Sequence, residues 1–474
     1  MAKILLLPGA FPSVLYPGVE LARRLASAGH EVTLAGLPAV ASSARALAEH
    51  HGLGFLELKG SQLGEFLVAD AEKSFIRRLL TFRRRRQEAR ELLGVEEFRR
   101  VLEALSPDLL LADVELHEHI LTAVGAGVKV ALLNPFASIW RRPGLPPNHC
   151  LVRPGVGWRG SRWGMALLWL AARWRKRGRA WRQRWRSVGC DRLSLLRELA
   201  RDGGFDFRRG TDDSQWLIPF TYRHLPVLSL HAREFEFPHE PPPQVTYVGP
   251  MVLEERVDRS LPPEDRARLD EILARHGGTA SSSPRRLIYA GFGSVFSTDG
   301  DFLRRLLAAV VAEEDWELVL SFSGRATGEN PELPPESLGE RVHRFGWLPQ
   351  LEMLEHAAAA VTHGGINTLD ECVLAGVPVL VYCGHETDMA GNTARVVHHG
   401  IGIAGDRRRD SPQTIRHHLR RLLEEPSFPR RVGELRRSYR AYVQHRQAER
   451  AVAELLKAEE ATDPGAPPTP GAQP

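Results

Sequence analysis

Short apolar runs closed by glycine or proline, each followed by a stretch of helical spacing, recur along both halves of this 474-residue chain, and no other feature restricts its fold as much. Residues 3–8 (KILLLP) have the length and composition of a buried strand. Residues 17–29 read as a helix with proline at its start and glycine at its end, and residues 31–34 begin a second strand. Residues 108–114 (DLLLADV) and 128–135 (VKVALLNP) repeat the pattern around a further helix. Unbroken apolar runs belong to strands covered on both faces, which predicts a parallel sheet. Residues 231–250 carry five prolines and break both periodicities, after which the pattern resumes at 285–295, 316–324, 358–365 and 377–383. The expectation is an α/β chain of two Rossmann-like domains facing each other across a cleft. Its parts are residues 1–235, a linker at 236–250, residues 251–430, a helix at 431–457 packing back on the first domain, and a Pro/Ala/Gly-rich tail at 458–474 without fixed structure.

Hydrophobic residues make up 43% and charged residues 26%, which excludes disorder and coiled coil for most of the chain. Cys150, Cys190, Cys372 and Cys383 show no C-x-x-C spacing, arguing against disulfide pairing and zinc ligation and for a reducing cytoplasm. The opening MAKILLLPG is too short in its apolar part for a signal peptide, and no run of ~18 apolar residues occurs, so neither secretion by that route nor a membrane span is expected. The net charge of +5 conceals an asymmetry: residues 119–190 hold fourteen Lys or Arg and no acid, leaving −9 on the remainder. Such a block points to an acidic partner surface facing one part of the molecule.

The chemistry concentrates in residues 345–402. VTHGGINTLDE reads as a strand, a glycine turn and a helix start, which puts His363 and the amides of residues 365–368 where a helix N-terminus binds a phosphate. Glu371 follows near the start of that helix, where a carboxylate can accept from paired ribose hydroxyls. Trp347, with Pro349 and Gln350 after it, offers an aromatic face and an amide to a nucleobase.

In this order the residues resemble the donor-binding signature of the inverting UDP-glycosyltransferases, whose fold is GT-B. The pattern W-x-P-Q, H-x-G-x-N-[ST]-x-x-E, D-x-x-x-N is met by Trp347, Pro349 and Gln350, by His363, Gly365, Asn367, Thr368 and Glu371, and by Asp388 and Asn392. The resemblance implies that these residues stack on and bond the base, bind the diphosphate, hold the ribose and touch the sugar. Upstream, GFGSV (residues 291–295) resembles the family's phosphate loop with Ser294 as hydroxyl donor, YVGPM resembles the opening of its second domain, and YPGVELARRLASAGHEVTLAG resembles its first helix and second strand.

Two positions depart from the family. The histidine that serves as general base is replaced by Val14, which cannot accept a proton, and Met389 stands where glutamine commonly follows the aspartate equivalent to Asp388. Asp113 matches the family's aspartate that orients the missing histidine and is the first candidate for the base; Glu115, His117, Glu118 and His119 follow it closely. The implied activity is transfer of a sugar, with inversion, from a nucleotide diphosphate sugar to a hydroxyl of a lipophilic or aromatic small molecule. UDP is preferred by resemblance and TDP stays open; no metal and no cofactor are expected. The alternatives are a nucleotide-sugar-binding auxiliary protein that has lost catalysis, which Val14 favours, and a hydrolase or epimerase of the same fold.

One segment stands outside that pattern. Trp163, Leu167, Leu170, Trp174, Trp181 and Trp185 are spaced by 4, 3, 4, 7 and 4, a helical stripe, with seven arginines and Lys176 among residues 173–186. Residues 75–90 have similar character. Either the stripe packs on the domain or lines an acceptor cleft, or residues 160–187 lie on an anionic membrane surface, attaching a cytoplasmic protein to the inner face. Nucleic acid is not expected, since no reader motif accompanies the charge.

Overall fold

Two parallel sheets carry the fold. The computed structural model describes residues 1–72, 74–276, 285–292, 300–322, 340–384 and 388–457. In the first lobe β1 (Lys3–Leu7), β2 (Glu31–Gly36), β3 (Gly54–Glu57), β4 (Leu109–Asp113) and β5 (Val130–Asn134) are followed by the small antiparallel pair β6 (Thr211–Asp212) and β7 (Thr221–Tyr222), then by β8 (Val227–Ser229) and β9 (Val245–Tyr247). The sheet order is β3-β2-β1-β4-β5-β8-β9, parallel throughout. The second lobe holds β10 (Arg286–Gly291), β11 (Trp316–Ser321), β12 (Val342–Phe345), β13 (Ala359–Thr362), β14 (Val379–Val381) and β15 (Gly402–Ala404) in the order β12-β11-β10-β13-β14-β15, again all parallel.

The sequence reason is visible in single strands. Leu5 and Leu7 enter the core on one face of the first sheet while Ile4 and Leu6 enter it on the other; Leu287 and Tyr289 do the same opposite Ile288 and Ala290 in the second. After the exposed first residue, Lys3 or Arg286, every side chain of such a strand is buried, so the apolar run is continuous. Strand order reverses between β1 and β4 and between β10 and β13, and the carboxyl ends at such reversals are where open α/β sheets hold ligands.

Three expectations change. The Pro-rich stretch at 236–250 is not a free spacer, because residues 245–247 inside it pair with β8 as the seventh strand. Val245 and Tyr247 are buried, and the prolines at 241–243 sit just before the strand, where a missing N–H is tolerated. The stretch at 431–457 is two helices, Ser427–Gln444 and Gln447–Lys457, broken where Arg446 takes φ +48°. Ala448, Ala451 and Val452 of the second share a core with Leu15 and Val19 of the first lobe. The tryptophan stripe is not buried against the described residues: Trp163, Leu167, Leu170, Trp174, Trp181 and Trp185 of the helix Arg162–Arg186 are all exposed. The tail at 458–474 lies outside the described residues. Among those residues no helix is long and apolar enough to cross a membrane.

Buried ionic contacts tie the lobes. Arg395, on the helix Met389–His399 of the second lobe, donates to Glu236 (2.7 and 2.9 Å) and to Asn148 of the first lobe (3.1 Å), all three fully buried. His231, just past β8, gives Nδ1–H to Asp370 of the second lobe (2.5 Å) and Nε2–H to the Pro135 carbonyl (2.7 Å). Tyr439 donates to the other Asp370 oxygen at 2.9 Å. Both ring nitrogens of His231 face acceptors. Burial works against the charged ring, but the Asp370 charge and hydrogen bond, with the Pro135 carbonyl, outweigh it and raise its pKa.

Removing Arg395 strands a buried carboxylate, so Arg395→Ala is expected to lower stability by about 3–5 kcal/mol in urea unfolding. For His231 the folded pKa lies above the unfolded value of about 6.5, so its contribution is complete below that pH and fades as pH rises through the folded pKa. The stability gap between the parent and His231→Gln, followed by urea midpoints across pH, should therefore narrow above neutrality; a gap widening with pH contradicts the ionic contact.

Candidate active site

A cavity of about 450 Å³ lies between the lobes. Its walls include Ser13, Val14 and Tyr16 from the first lobe, Arg256 and Arg259 from the connection, and Tyr289, Trp347, Gln350, His363, Gly365, Asn367, Thr368, Glu371 and Asp388 from the second. Eight of the side chains and amides expected to bind the donor thus meet in one space, with Val14 beside them. Ser294 lies outside the described residues. Asn392 is fully buried behind the wall, where its amide donates to Asp388 (2.8 Å) and to the Gly364 carbonyl (3.1 Å); it braces the wall rather than forming it.

The wall is built around the start of the helix Ile366–Ala375. Gly364 makes the turn out of β13 at φ +88°, where a Cβ would lie 2.9 Å from Val381 Cγ1. Gly365 sits at the N-cap with no side-chain cap, and the first turn holds no acidic residue. The first-turn amides have no intrahelical acceptor, and with the helix dipole they make a site for negative charge. A Cβ on Gly365 would stand 2.7 Å from His363 Nε2, so glycine is what admits that ring. Burial lowers the His363 pKa to about 4, against a hydrogen bond to the Gly291 backbone that raises it. The ring is neutral at pH 7.

Asn367 reaches across the cleft. Its amide donates to the Ser13 carbonyl, which is free because Pro17, four residues on in the helix Pro12–Ser27, has no N–H to return. Glu371 is buried, with one oxygen on Arg256 and the other on Gln350; Gln350 in turn accepts from Tyr289 at 2.9 Å, and Arg256 lies 4.6 Å over the Tyr16 ring. A carboxylate has about four acceptor positions, so these two contacts orient it without exhausting it.

Asp113 ends β4, is 2% exposed, and accepts from the Glu115 amide at 2.9 Å. A Cβ on Gly9 would lie 3.1 Å from Asp113 Oδ2 and 3.3 Å from Val14 Cγ2. The carboxyl therefore stands beside the start of the helix Pro12–Ser27, which bears Val14, one layer behind the cavity wall. Burial raises its pKa to about 7, with the Glu115 charge adding and the Glu115 amide opposing. Glu115 is raised too, by burial and by the charge of Asp388 across the cleft, against Arg192. The other neighbours turn away: His117 bonds Tyr222 (3.2 Å) in an aromatic cluster with Phe220, His119 meets Phe98 edge-on, and Glu118 is paired with Arg192 at 2.6 Å.

Sequence reasoning passed over Arg256, Tyr289 and Tyr16. Tyr289 had a signal, a hydroxyl inside an otherwise apolar strand; Arg256, in an acidic stretch, had none. A second cavity of about 340 Å³ opens inside the first lobe, lined by Val114, Ile139, Trp140, Leu217 and Tyr222 with Arg141 and Arg142.

Residues 304–442 match the family model described as Erythromycin biosynthesis protein CIII-like, C-terminal domain. The chain is 33% identical over 210 residues to 4'-demethylrebeccamycin synthase of Lentzea aerocolonigenes, covering 44% of each protein. It is 26% identical over 206 residues to human UDP-glucuronosyltransferase 2B15, covering 43% of this chain and 35% of that one. Over these regions the chain is similar to glycosyltransferases of the UDP-glycosyltransferase type. It spans less than half the length of these curated relatives. The crystal structure of the kitacinnamycin glycosyltransferase superposes with a TM-score of 0.66 at 22% identity, over 96% of this chain and 99% of that one. VinC in complex with dTDP superposes at 0.58 and 20%, over 96% and 98%. The fold is GT-B.

The Asp113 carboxyl should titrate near neutrality. Difference infrared spectroscopy across pH should give a protonated-carboxyl band that disappears with a midpoint near 7 and is absent from Asp113→Asn. A band lost entirely in the ordinary carboxylate range would contradict the burial argument.

Proposed function

We propose that the protein transfers a sugar, with inversion, from a nucleotide diphosphate sugar to a hydroxyl of a lipophilic or aromatic small molecule. One observation carries the reading: Trp347, Gln350, His363, Gly365, Asn367, Thr368, Glu371 and Asp388 line a single cavity at an uncapped helix N-terminus. In this reading the base stacks on Trp347 and meets Gln350, the ribose diol bonds Glu371, and the diphosphate rests on the amides of residues 366–368. Asp388 faces the sugar. Arg256 and Arg259 add positive charge to the same wall. UDP is favoured by the relatives' family, while the dTDP complex of VinC keeps thymidine in contention.

The reaction is one displacement. The acceptor oxygen forms a bond to the anomeric carbon as the bond from that carbon to the diphosphate oxygen breaks, so configuration inverts. The leaving pair of electrons goes to the diphosphate, which the helix amides stabilise. The acceptor proton passes through one water to Asp113, whose carboxyl lies one layer behind the cavity wall. A carboxyl titrating near 7 is a better base at neutral pH than an ordinary one, and it takes over from the histidine that Val14 replaces. An acceptor with an acidic hydroxyl, such as a phenol, asks least of it. The first-lobe cavity begins at Val114, next in the chain after Asp113, and its Trp140, Ile139 and Tyr222 suit an aromatic acceptor.

The test is incubation with UDP- and TDP-sugars and a panel of phenolic, polyketide, sterol and carotenoid acceptors. A product heavier by one sugar residue is expected. Asp113→Asn should lower turnover by roughly 10²–10⁴-fold with little change in donor affinity, and His363→Ala should weaken donor binding. Nucleotide-sugar binding with no transfer to any acceptor would instead mark an auxiliary protein, and full turnover by Asp113→Asn would remove the base.

A further inference from the structure

The helix Arg162–Arg186 presents its tryptophan stripe to solvent. Trp163 is 81% exposed, Trp174 71%, Trp181 63% and Trp185 60%, with Leu167 and Leu170 about half exposed between them. At about 100° per residue these six fall within about 60° of one another. Met165, Trp169 and Lys176 lie on the opposite side and anchor the helix. Trp169 Nε1 donates to the Leu145 carbonyl (2.8 Å), and Lys176 donates to the carbonyls of Gln215 (2.8 Å) and Leu217 (2.7 Å). The helix is fixed, so its free face is a permanent surface.

Arginines stand on both flanks of the stripe: Arg173, Arg177 and Arg184 on one side, Arg175, Arg182 and Arg186 on the other. Asp213 pairs with Arg173 and Arg177; among the described residues Arg175, Arg182, Arg184 and Arg186 have no carboxylate partner. The ridge continues past the helix end. Arg78 donates to the Arg186 carbonyl and Arg85 to that of Ser187 (3.0 Å), which brings up the short helix Phe75–Leu80 with Ile76, Leu79 and Leu80 exposed.

We infer that this ridge docks the protein on an anionic lipid surface. The occupant follows from the pairing of chemistries: indole rings belong at the boundary between headgroups and acyl chains, and guanidinium groups on both sides meet lipid phosphates at the same depth. A second copy of the chain fits badly, because matching the ridge to itself sets unpaired arginines against arginines. The ridge lies apart from the nucleotide-sugar cavity, with which it shares no residue, so the inference does not rest on the proposed reaction. It supplies what that reaction would use, a route for a lipophilic acceptor.

The test is flotation of the full chain with vesicles of phosphatidylcholine alone or mixed with phosphatidylglycerol. The parent should float with the mixed vesicles, not with phosphatidylcholine alone, and high salt should release it. The variant W174S/W181S/W185S and the variant R175Q/R182Q/R186Q should each partition roughly ten-fold less or weaker still, while unfolding at the parent's temperature and binding nucleotide sugars as the parent does. Equal flotation of parent and variants, or no flotation of the parent at low salt, overturns the inference. So does sedimentation of the parent as a dimer that the tryptophan variant dissolves, which would assign the ridge to a second copy.

Discussion

The backbone N–H groups that open the helix Ile366–Ala375 have no side-chain cap, and contacts at four residues hold that end against the cleft. His363 lies beside Gly365 where no Cβ intervenes, Asn367 grips a first-lobe carbonyl that Pro17 leaves unused, Asp370 is locked between His231 and Tyr439, and Glu371 is shared by Arg256 and Gln350. Positive potential at a helix start is common; this one is also braced from both lobes and from the carboxy-terminal helix Ser427–Gln444. It fixes donors in advance, which is what stabilising a developing diphosphate charge requires.

The same rigidity bears on the absent histidine. Val14 faces the cavity, and the Asp113 carboxyl stands behind it with its pKa raised by burial to about 7. A side chain on Gly9 would have filled the space beside both Asp113 and Val14. Burial, ordinarily a cost for a carboxylate, is here the source of its basicity. Asp388 and Glu115 repel each other across the cleft, which adds to the burial that raises the Glu115 pKa.

Much of this was legible in the chain. The strand runs were legible because parallel sheets bury both faces, which leaves little for polar residues to blur, and the Phe345 to Gly402 region was legible because its residues act through backbone geometry that only certain types permit. Short edge strands such as β3, β9 and β15 escaped, since three or four residues carry too little periodicity to compete with neighbouring prolines and turns. Arg256, His231 and Arg395 escaped for another reason. Their partners lie 115, 139 and 159 residues away, so no local spacing announces them. Asn392 was read as part of the wall because its motif places it one helical turn after Asp388; it is the turn beneath.

Titration calorimetry with UDP, TDP and their sugar conjugates addresses the central claim most directly. One saturable site per chain is predicted, weakened in Gly365→Ala, whose added methyl must displace the His363 ring. No heat from any nucleotide diphosphate, or undiminished affinity in Gly365→Ala, would contradict a donor site at this helix start.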